Sequence, residues 1–539
     1  MLFAGFWRRR DFIASLAIAL GLLLSGTPLR AEVKIAGVFS DHMVLQRDMN
    51  VPVWGWAEPN EMVTIAIGDQ SKQTTADQSG KWSVKLDAMS AGGPYTLTAS
   101  GSNKLTISDV LVGEVWLCSG QSNMAMTVNR AKDFEIERQH ADFPRIRHFK
   151  TSLLAAPEEQ ADASGSWSVC SSETVGNFSA AAYFFGRKLY QELNVPIGVI
   201  NSSWGGTDVS AWTSLPAQQT VDDLVPKIEA YEARIASYDP ETAKQNYEAA
   251  LAKWKEQAAA AKKAGKGAPR KPRLVGDPSI NQNRPANLYN GMIHPLIPYA
   301  IRGATWYQGE HNSGSIENGI LYETQLKVLI DDWRSRWGEG DFPFLIVQLP
   351  NFRAPTDKPI QTTGWVMVRE SELKMLRLKN TGIAVTTDVG DAKNIHPRDK
   401  QTVGIRLALW ALGTTYGQNI VYSGPLMHSY QYRSGTINAA GKKSPGRMMV
   451  SFTHADSLES SDGKPLRGFA VADEDQKFYV ADAKIDPVTG MLVLSSKEVR
   501  TPVAARYNWA ENPVGNLVNG AGLPAAPFRT DSWDVTEED

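Results

Sequence analysis

The chain has 539 residues, 42% hydrophobic and 21% charged, with 56 Lys and Arg against 58 Asp and Glu. This composition describes a globular protein of several domains and excludes a disordered scaffold. The near balance of charge excludes a global field that would attract nucleic acid or an anionic membrane, so the expected partner is neutral or small.

The chain begins with Arg8, Arg9 and Arg10, an apolar stretch from Phe12 to Leu24, and small or polar residues up to Ala31. That order is the order of a secretory signal over residues 1–31. The apolar stretch is shorter than the roughly 20 residues of a spanning helix, so the expectation is an exported bacterial protein, periplasmic or extracellular, with no transmembrane segment after cleavage. The two cysteines, Cys118 and Cys170, would then lie in a compartment where a disulfide persists. Their spacing leaves both a bridge and two buried thiols open. Neither zinc-ligand nor EF-hand spacing occurs, so no metal is expected.

Residues 32–108 read as a small β-sandwich: short runs such as "NVPVWGWA", "EMVTIAIG" and "GKWSVKL" alternate with turns. Trp54, Trp56 and Trp82 are read as its core. From Val110 the grammar becomes βαβ. "VLVGEVWLC" is a buried strand, "FSAAAYFFGRKLYQEL" a helix, and "PIGVINSSWGG" a strand entering a Gly-rich loop. The pattern resumes with "IRGATWYQGE", the helix "TQLKVLIDDWRSRWG" ended by Gly338, and the strands "FPFLIVQLPNF" and "TGIAVTTDVGD". A mainly parallel sheet covered on both faces follows, its halves at 109–214 and 286–421, with functional loops at the carboxyl ends of its strands. Between them, residues 215–285 read as a helical insertion. Its end, Lys253 to Arg273, carries eight basic residues and one acidic, read as a solvated helix face and loop. Residues 422–539 return to short strands.

The stretch "CSGQSNMAM" places Ser122 at the end of the first parallel strand, where a helix starting near Asn123 aims N–H groups at the serine oxygen. The setting suits a nucleophile, and Ser is also a common N-cap. The flanking residues do not complete Gly-x-Ser-x-Gly, so an α/β-hydrolase elbow is disfavoured. Two further loops fall at strand ends, "NSSWGGTDVSAW" and "WYQGEHN". A backbone N–H from the Gly-Gly step and the side-chain amides of Gln308 and Asn312 are candidate oxyanion donors. Among eight histidines, His396 lies after a strand and before a helix whose first residue is expected to be Pro397. His294, flanked by apolar residues, is read as packed.

Five ordered blocks, "VGEVWLCSGQSNMAM", "IGVINSSWGGTDVSAWTS", "YNGMIHPLIPYAIRGATWYQGEHN", "NIHPRDKQTVGIRLALWAL" and "LPAAPFRTDSW", resemble the sialate O-acetylesterase-like family of SGNH-type carbohydrate esterases. The early "GVFSDHMVLQRDMNVPVWGWAEP" is similar to that family's N-terminal module. The resemblance implies a three-layer α/β/α core, Ser122 as nucleophile, His396 as base, and an oxyanion hole from Ser122, Gly206 (with Gly205 the alternative), Gln308 and Asn312. Their neighbours Gln121, Asn123, Trp204, Gly205, Glu310 and His311 are the implied substrate contacts. Many SGNH hydrolases carry an aspartate three residues before the histidine, where this chain has Lys393. Either Asp391 or Asp388 reaches His396, or a backbone carbonyl orients the ring and a dyad operates. The implied substrate is an acetylated carbohydrate, sialic acid or a plant polysaccharide such as xylan or xyloglucan. The alternatives are a noncatalytic glycan-binding protein with a relict hydrolase core, and a lipase-like esterase, for which no apolar lid segment is evident. From its place between the second and third blocks, the insertion is expected to border the cleft.

Overall fold

The computed structural model describes residues 32–536 apart from 438 and 440–442; the expected signal segment lies outside the described residues. Near the amino terminus, Val51–Trp56 pairs with Lys34–Ile35 and Lys81–Leu86, and a second group of strands, Met62–Ile67, Gln70–Thr75 and Gly92–Ser100, lies against it. Both groups follow period 2: Val51 and Val53, and Val63, Ile65 and Ile67, point into one shared cluster. Trp82 is buried there, and Trp54 packs edge-on against Phe39 at 4.8 Å.

One strand, β1 (Lys104–Gly120), belongs to both modules. Its first half pairs antiparallel with Gly92–Ser100, and from Glu114 onward it lies between two parallel partners. Glu114 marks the crossing. Its buried carboxylate accepts hydrogen bonds from Arg47 Nε at 2.5 Å, Arg302 Nε at 2.8 Å and Gln46 Nε2 at 3.1 Å. Burial pushes this carboxyl's pKa up, but the two guanidinium groups outweigh it and hold the group below its ordinary range.

The remaining strands of the sheet are β2 (Phe143–Thr151), β3 (Gly165–Cys170), β4 (Ile197–Ser203), β5 (Gly303–Tyr307), β6 (Phe344–Val347) and β7 (Thr381–Ala384). Their spatial order is β3-β2-β4-β1-β5-β6-β7, all parallel except the antiparallel edge strand β3. Successive side chains of β1 point to opposite faces. Val115 and Leu117 join Trp306, Ile346, Leu326 and Trp333, while Trp116 and Cys118 join Phe185, Leu189, Val403 and Leu407.

Seven helices carry labels in chain order: α1 (Ser122–Ala125), α2 (Ala180–Leu193), α3 (Val225–Ala236), α4 (Pro240–Lys263), α5 (Ile316–Trp337), α6 (Gly364–Lys374) and α7 (Lys400–Trp410). Helix α5 stops at Gly338, whose φ of +69° favours glycine, as the sequence predicts. The insertion contains α3 and α4. No residue of α4 is buried, and the return segment lies along it, with Trp254 Nε1 donating to the Pro269 carbonyl at 2.7 Å. Beyond the sheet, strands such as Leu426–Arg433, Arg447–Thr453 and Phe469–Ala472 surround a separate cluster including Met448, Phe469 and Tyr507. The buried guanidinium of Arg369 on α6 joins this region to the core by donating to the carbonyls of Leu349, Pro350, Ala510 and Glu511.

Cys118 and Cys170 are both buried and unbridged, and burial lifts both thiols to about 12. No helix among the described residues is long and apolar enough to cross a membrane.

Candidate active site

In this sheet β4 and β5 flank β1, and the chain runs from β1 toward one edge and later toward the other. The carboxyl end of β1 is therefore the crevice at which open α/β sheets hold ligands. Three loops meet there. The turn after β1 needs Gly120: its φ is +137°, and a Cβ would lie 2.2 Å from the Tyr307 carbonyl oxygen. Gln121 N–H then donates to that carbonyl at 3.0 Å, and α1 begins at Ser122. Gly205, after β4, lies against the serine, since a Cβ there would be 3.1 Å from Ser122 Cβ.

Ser122 Oγ lies 2.9 Å from His396 Nε2, so the two expected residues meet. With the imidazole neutral and its proton on Nδ1, the hydroxyl donates to Nε2. His396 sits on the loop after β7. Burial lowers its pKa, and the positive charges of Lys400 and Arg130 lower it further, so the ring is held as a neutral base. Pro397 does not open the following helix. Helix α7 starts at Lys400 because Asp399 caps it, accepting from Thr402 N–H at 3.0 Å.

Neither candidate carboxylate is hydrogen-bonded to His396 among the described residues. Asp388 is held by Arg406 through two hydrogen bonds of 2.6 and 2.7 Å, and Asp391 accepts from Lys393 N–H at 2.8 Å within its own turn. The backbone N–H of His396 donates instead to Asn394 Oδ1 at 3.0 Å.

The amide donors divide. Gln308 is fully buried, and both its N–H groups are used, to the Thr207 carbonyl at 3.0 Å and Asn312 Oδ1 at 2.7 Å, while Tyr322 donates to its Oε1. A buried amide must be satisfied internally, so Gln308 braces the loops and has no hydrogen left for an oxyanion. Asn312 uses one N–H on Gln325 Oε1 at 3.2 Å, and its other amide hydrogen has no partner among the described residues. The carbonyl of Gly206 accepts from Asn283 Nδ2 at 3.2 Å.

The expected substrate contacts also divide. Trp204 is half-buried and His311 exposed, at the rim with Gly205. Gln121 and Asn123 are buried: Gln121 Oε1 accepts from His311 N–H at 3.3 Å, and the Asn123 amide is spent on Glu310, Ile395 and Lys400. Asn123 braces the site and does not line it. Glu310 Oε2 is enclosed without a hydrogen-bond partner, and burial raises this carboxyl's pKa. Lys400, which the sequence reading passed over as part of a helix, donates to Asn123 Oδ1 at 2.7 Å, and its charge acts on His396. The available signal was a lysine in the first turn of a helix, against the macrodipole.

A hydroxyl on a neutral imidazole at the carboxyl edge of a parallel sheet, beside glycine backbone and an amide donor, is the arrangement of an acyl-transfer site. The chain matches the family described as carbohydrate esterase, sialic acid-specific acetylesterase, over residues 112–259 and 274–412. It is 30% identical over 541 residues to sialate O-acetylesterase of Mus musculus, covering 92% of this chain and 94% of the mouse protein. It is 28% identical over 536 residues to sialate O-acetylesterase of Homo sapiens, covering 92% of each. A carbohydrate acetylesterase from Xanthomonas citri superposes with a TM-score of 0.77 at 33% identity, covering 93% of this chain and 100% of that one. The chain belongs to the sialic acid-specific acetylesterase family of carbohydrate esterases and is a carbohydrate O-acetylesterase. The noncatalytic and lipase-like alternatives give way to that assignment.

Proposed function

We propose that the protein is an exported serine esterase that removes O-acetyl groups from carbohydrates through an acetyl-enzyme on Ser122. The observation that carries this reading is the 2.9 Å contact between Ser122 Oγ and His396 Nε2. In the first step Nε2 takes the hydroxyl proton as Oγ bonds to the acetyl carbonyl carbon. The carbonyl oxygen becomes an oxyanion, which the N–H groups of Ser122 and the Gly205–Gly206 turn and the remaining N–H of Asn312 receive. The intermediate collapses, the carbon–oxygen bond to the sugar breaks, and the imidazolium protonates the departing sugar oxygen. Water, deprotonated by His396, then attacks the acetyl-serine, and acetate leaves as Ser122 recovers its proton. The base works as half of a dyad.

The sheet with apolar clusters on both faces supports an SGNH-type three-layer core. The substrate class is O-acetylated sialic acid or an acetylated plant polysaccharide such as xylan or xyloglucan, and export rests on the signal-like first 31 residues.

The test is acetate release by wild type and Ser122→Ala on O-acetylated sialic acid, acetyl-xylan, acetyl-xyloglucan and a small aryl acetate. Wild type releases acetate, its preferred substrate identifies the sugar, and Ser122→Ala loses on the order of 10⁴- to 10⁶-fold in turnover. A Ser122→Ala protein that keeps most of the activity overturns the serine mechanism.

A further inference from the structure

We propose that Lys400 is a positioning residue for His396, acting through Asn123, and that this buried chain takes the orienting role that neither Asp388 nor Asp391 fills. The inference rests on the Ser122–His396 reading above. Lys400 and Asn123 are each fully buried, and Lys400 Nζ donates to Asn123 Oδ1 at 2.7 Å. The amide nitrogen of Asn123 in turn donates to the carbonyl of Ile395 at 3.0 Å and to Glu310 Oε1 at 2.5 Å. One side chain, next in sequence to the nucleophile, thus joins the helix that carries Ser122, the loop that carries His396 and the loop after β5.

The Ile395 carbonyl belongs to the peptide unit whose N–H is that of His396. That N–H is held by Asn394 Oδ1 at 3.0 Å, so both polar groups of the peptide are fixed, one by Asn123 and the other by Asn394. Fixing this peptide plane fixes the position of the histidine Cα and the N–Cα axis about which the side chain turns, which limits where Nε2 can fall relative to Ser122 Oγ. Lys400 determines which way the Asn123 amide faces, because an ammonium has donors only and requires Oδ1 on its side. The amide hydrogens are therefore directed to Ile395 and Glu310.

A buried ammonium at a helix amino terminus is expensive, and an apolar side chain of similar length would fill the space without that penalty. The groups that face Lys400 are the carboxyls of Glu310 and Asp399, the Arg130 cation, the His396 ring and the Tyr307 ring, whose centroid lies 5.1 Å from Nζ. Burial lowers the Lys400 ammonium to about 7. Its charge also opposes protonation of His396, which keeps the ring a base.

The experiment compares wild type, Lys400→Met, Asn123→Ala and the double variant on a small aryl acetate, with kcat and KM measured from pH 5 to 9. Lys400→Met and Asn123→Ala each lower kcat by on the order of 10²-fold while KM moves less than about twofold, the signature of a misplaced base. The double variant is no slower than the slower single, since both remove one chain. Lys400→Met also moves the acid limb of kcat/KM to higher pH, because it removes a positive charge near His396. An active wild type with a folded Lys400→Met or Asn123→Ala of unchanged kcat overturns the inference alone. A wild-type acid limb at or above the ordinary imidazole value of about 6.5 overturns it even if the variants do not fold. A wild type that releases no acetate from any ester overturns the serine-esterase reading and the inference with it.

Discussion

His396 Nε2 reaches Ser122 Oγ at 2.9 Å across 274 residues of chain. Ser122 opens α1 directly after β1 and His396 sits on the loop after β7, and the sheet order puts β5 and β6 between those strands. The loop after β7 must therefore cross the carboxyl edge to arrive. It is held where it crosses: Lys132 N–H donates to the Arg398 carbonyl at 2.8 Å, and Arg398 Nη2 donates to the Ala131 carbonyl at 3.0 Å.

In the proposed serine mechanism the base must be unprotonated to accept the serine proton, and a histidine is neutral above its pKa. Burial, then Lys400 and Arg130, depress the His396 pKa below its ordinary value of 6.5. Activity accordingly persists into mildly acidic solution, and the acid limb of kcat/KM on an aryl acetate inflects below pH 6.5. A pH–rate profile with an inflection above that value contradicts the assignment.

Asn312 and Gln308 are separable by kinetics. Asn312 retains an N–H with no partner among the described residues, and both amide hydrogens of Gln308 are used within the protein. Asn312→Ala lowers kcat by about 10²-fold, as expected for loss of an oxyanion donor. Gln308→Ala instead leaves buried groups of Thr207, Asn312 and Tyr322 unpaired and lowers stability by about 1–3 kcal/mol. Thermal melts alongside the kinetics distinguish the two.

Gly205→Ala tests how closely the second loop approaches the nucleophile. The added methyl would lie 3.1 Å from Ser122 Cβ, so the serine or the turn must yield by a few tenths of an ångström. The expected loss in kcat is about 10-fold, smaller than the penalty for a full ångström of misplacement. Normal activity would mean that the turn relaxes freely.

Glu114→Ala tests the joint between the amino-terminal module and the core. Its fully buried carboxylate holds Arg47 and Arg302, and removing one partner of a buried ionic cluster destabilises by about 3–5 kcal/mol. Burial raises the Glu114 pKa, but hydrogen bonds and charge from Arg302 and Arg47 lower it below 4.5 overall. The ionised form is thus favoured by folding: its contribution is present above pH 4.5 and is lost as pH falls through the depressed folded value. Melting temperature measured from pH 7 to 3 should fall with a shallower slope in Glu114→Ala than in wild type.

The sequence by itself determined five of the seven strands, because buried parallel strands read as continuous apolar runs: "VLVGEVWLC" and "FPFLIVQLPNF" lie in β1 and around β6, whereas β2 and the edge strand β3, interrupted by polar residues, were not legible. It also determined the Gly338 stop and the loop positions of Ser122 and His396, since caps and strand ends are local chemistry. The start of α7 was less legible, because Pro397 and Asp399 offer competing signals and only the hydrogen bond to Thr402 N–H decides between them. The direction in which a polar side chain faces was not legible. Gln308 and Asn123 carry the same amide whether they meet a substrate or a neighbouring loop. Burial selects the second, because an enclosed amide must find its partners within the protein. The sequence likewise offered Asp388 and Asp391 as partners for His396, and packing assigned Asp388 to Arg406. The charge that acts on His396, Lys400, emerged only when the tertiary structure brought the first turn of α7 against α1 and the loop after β5.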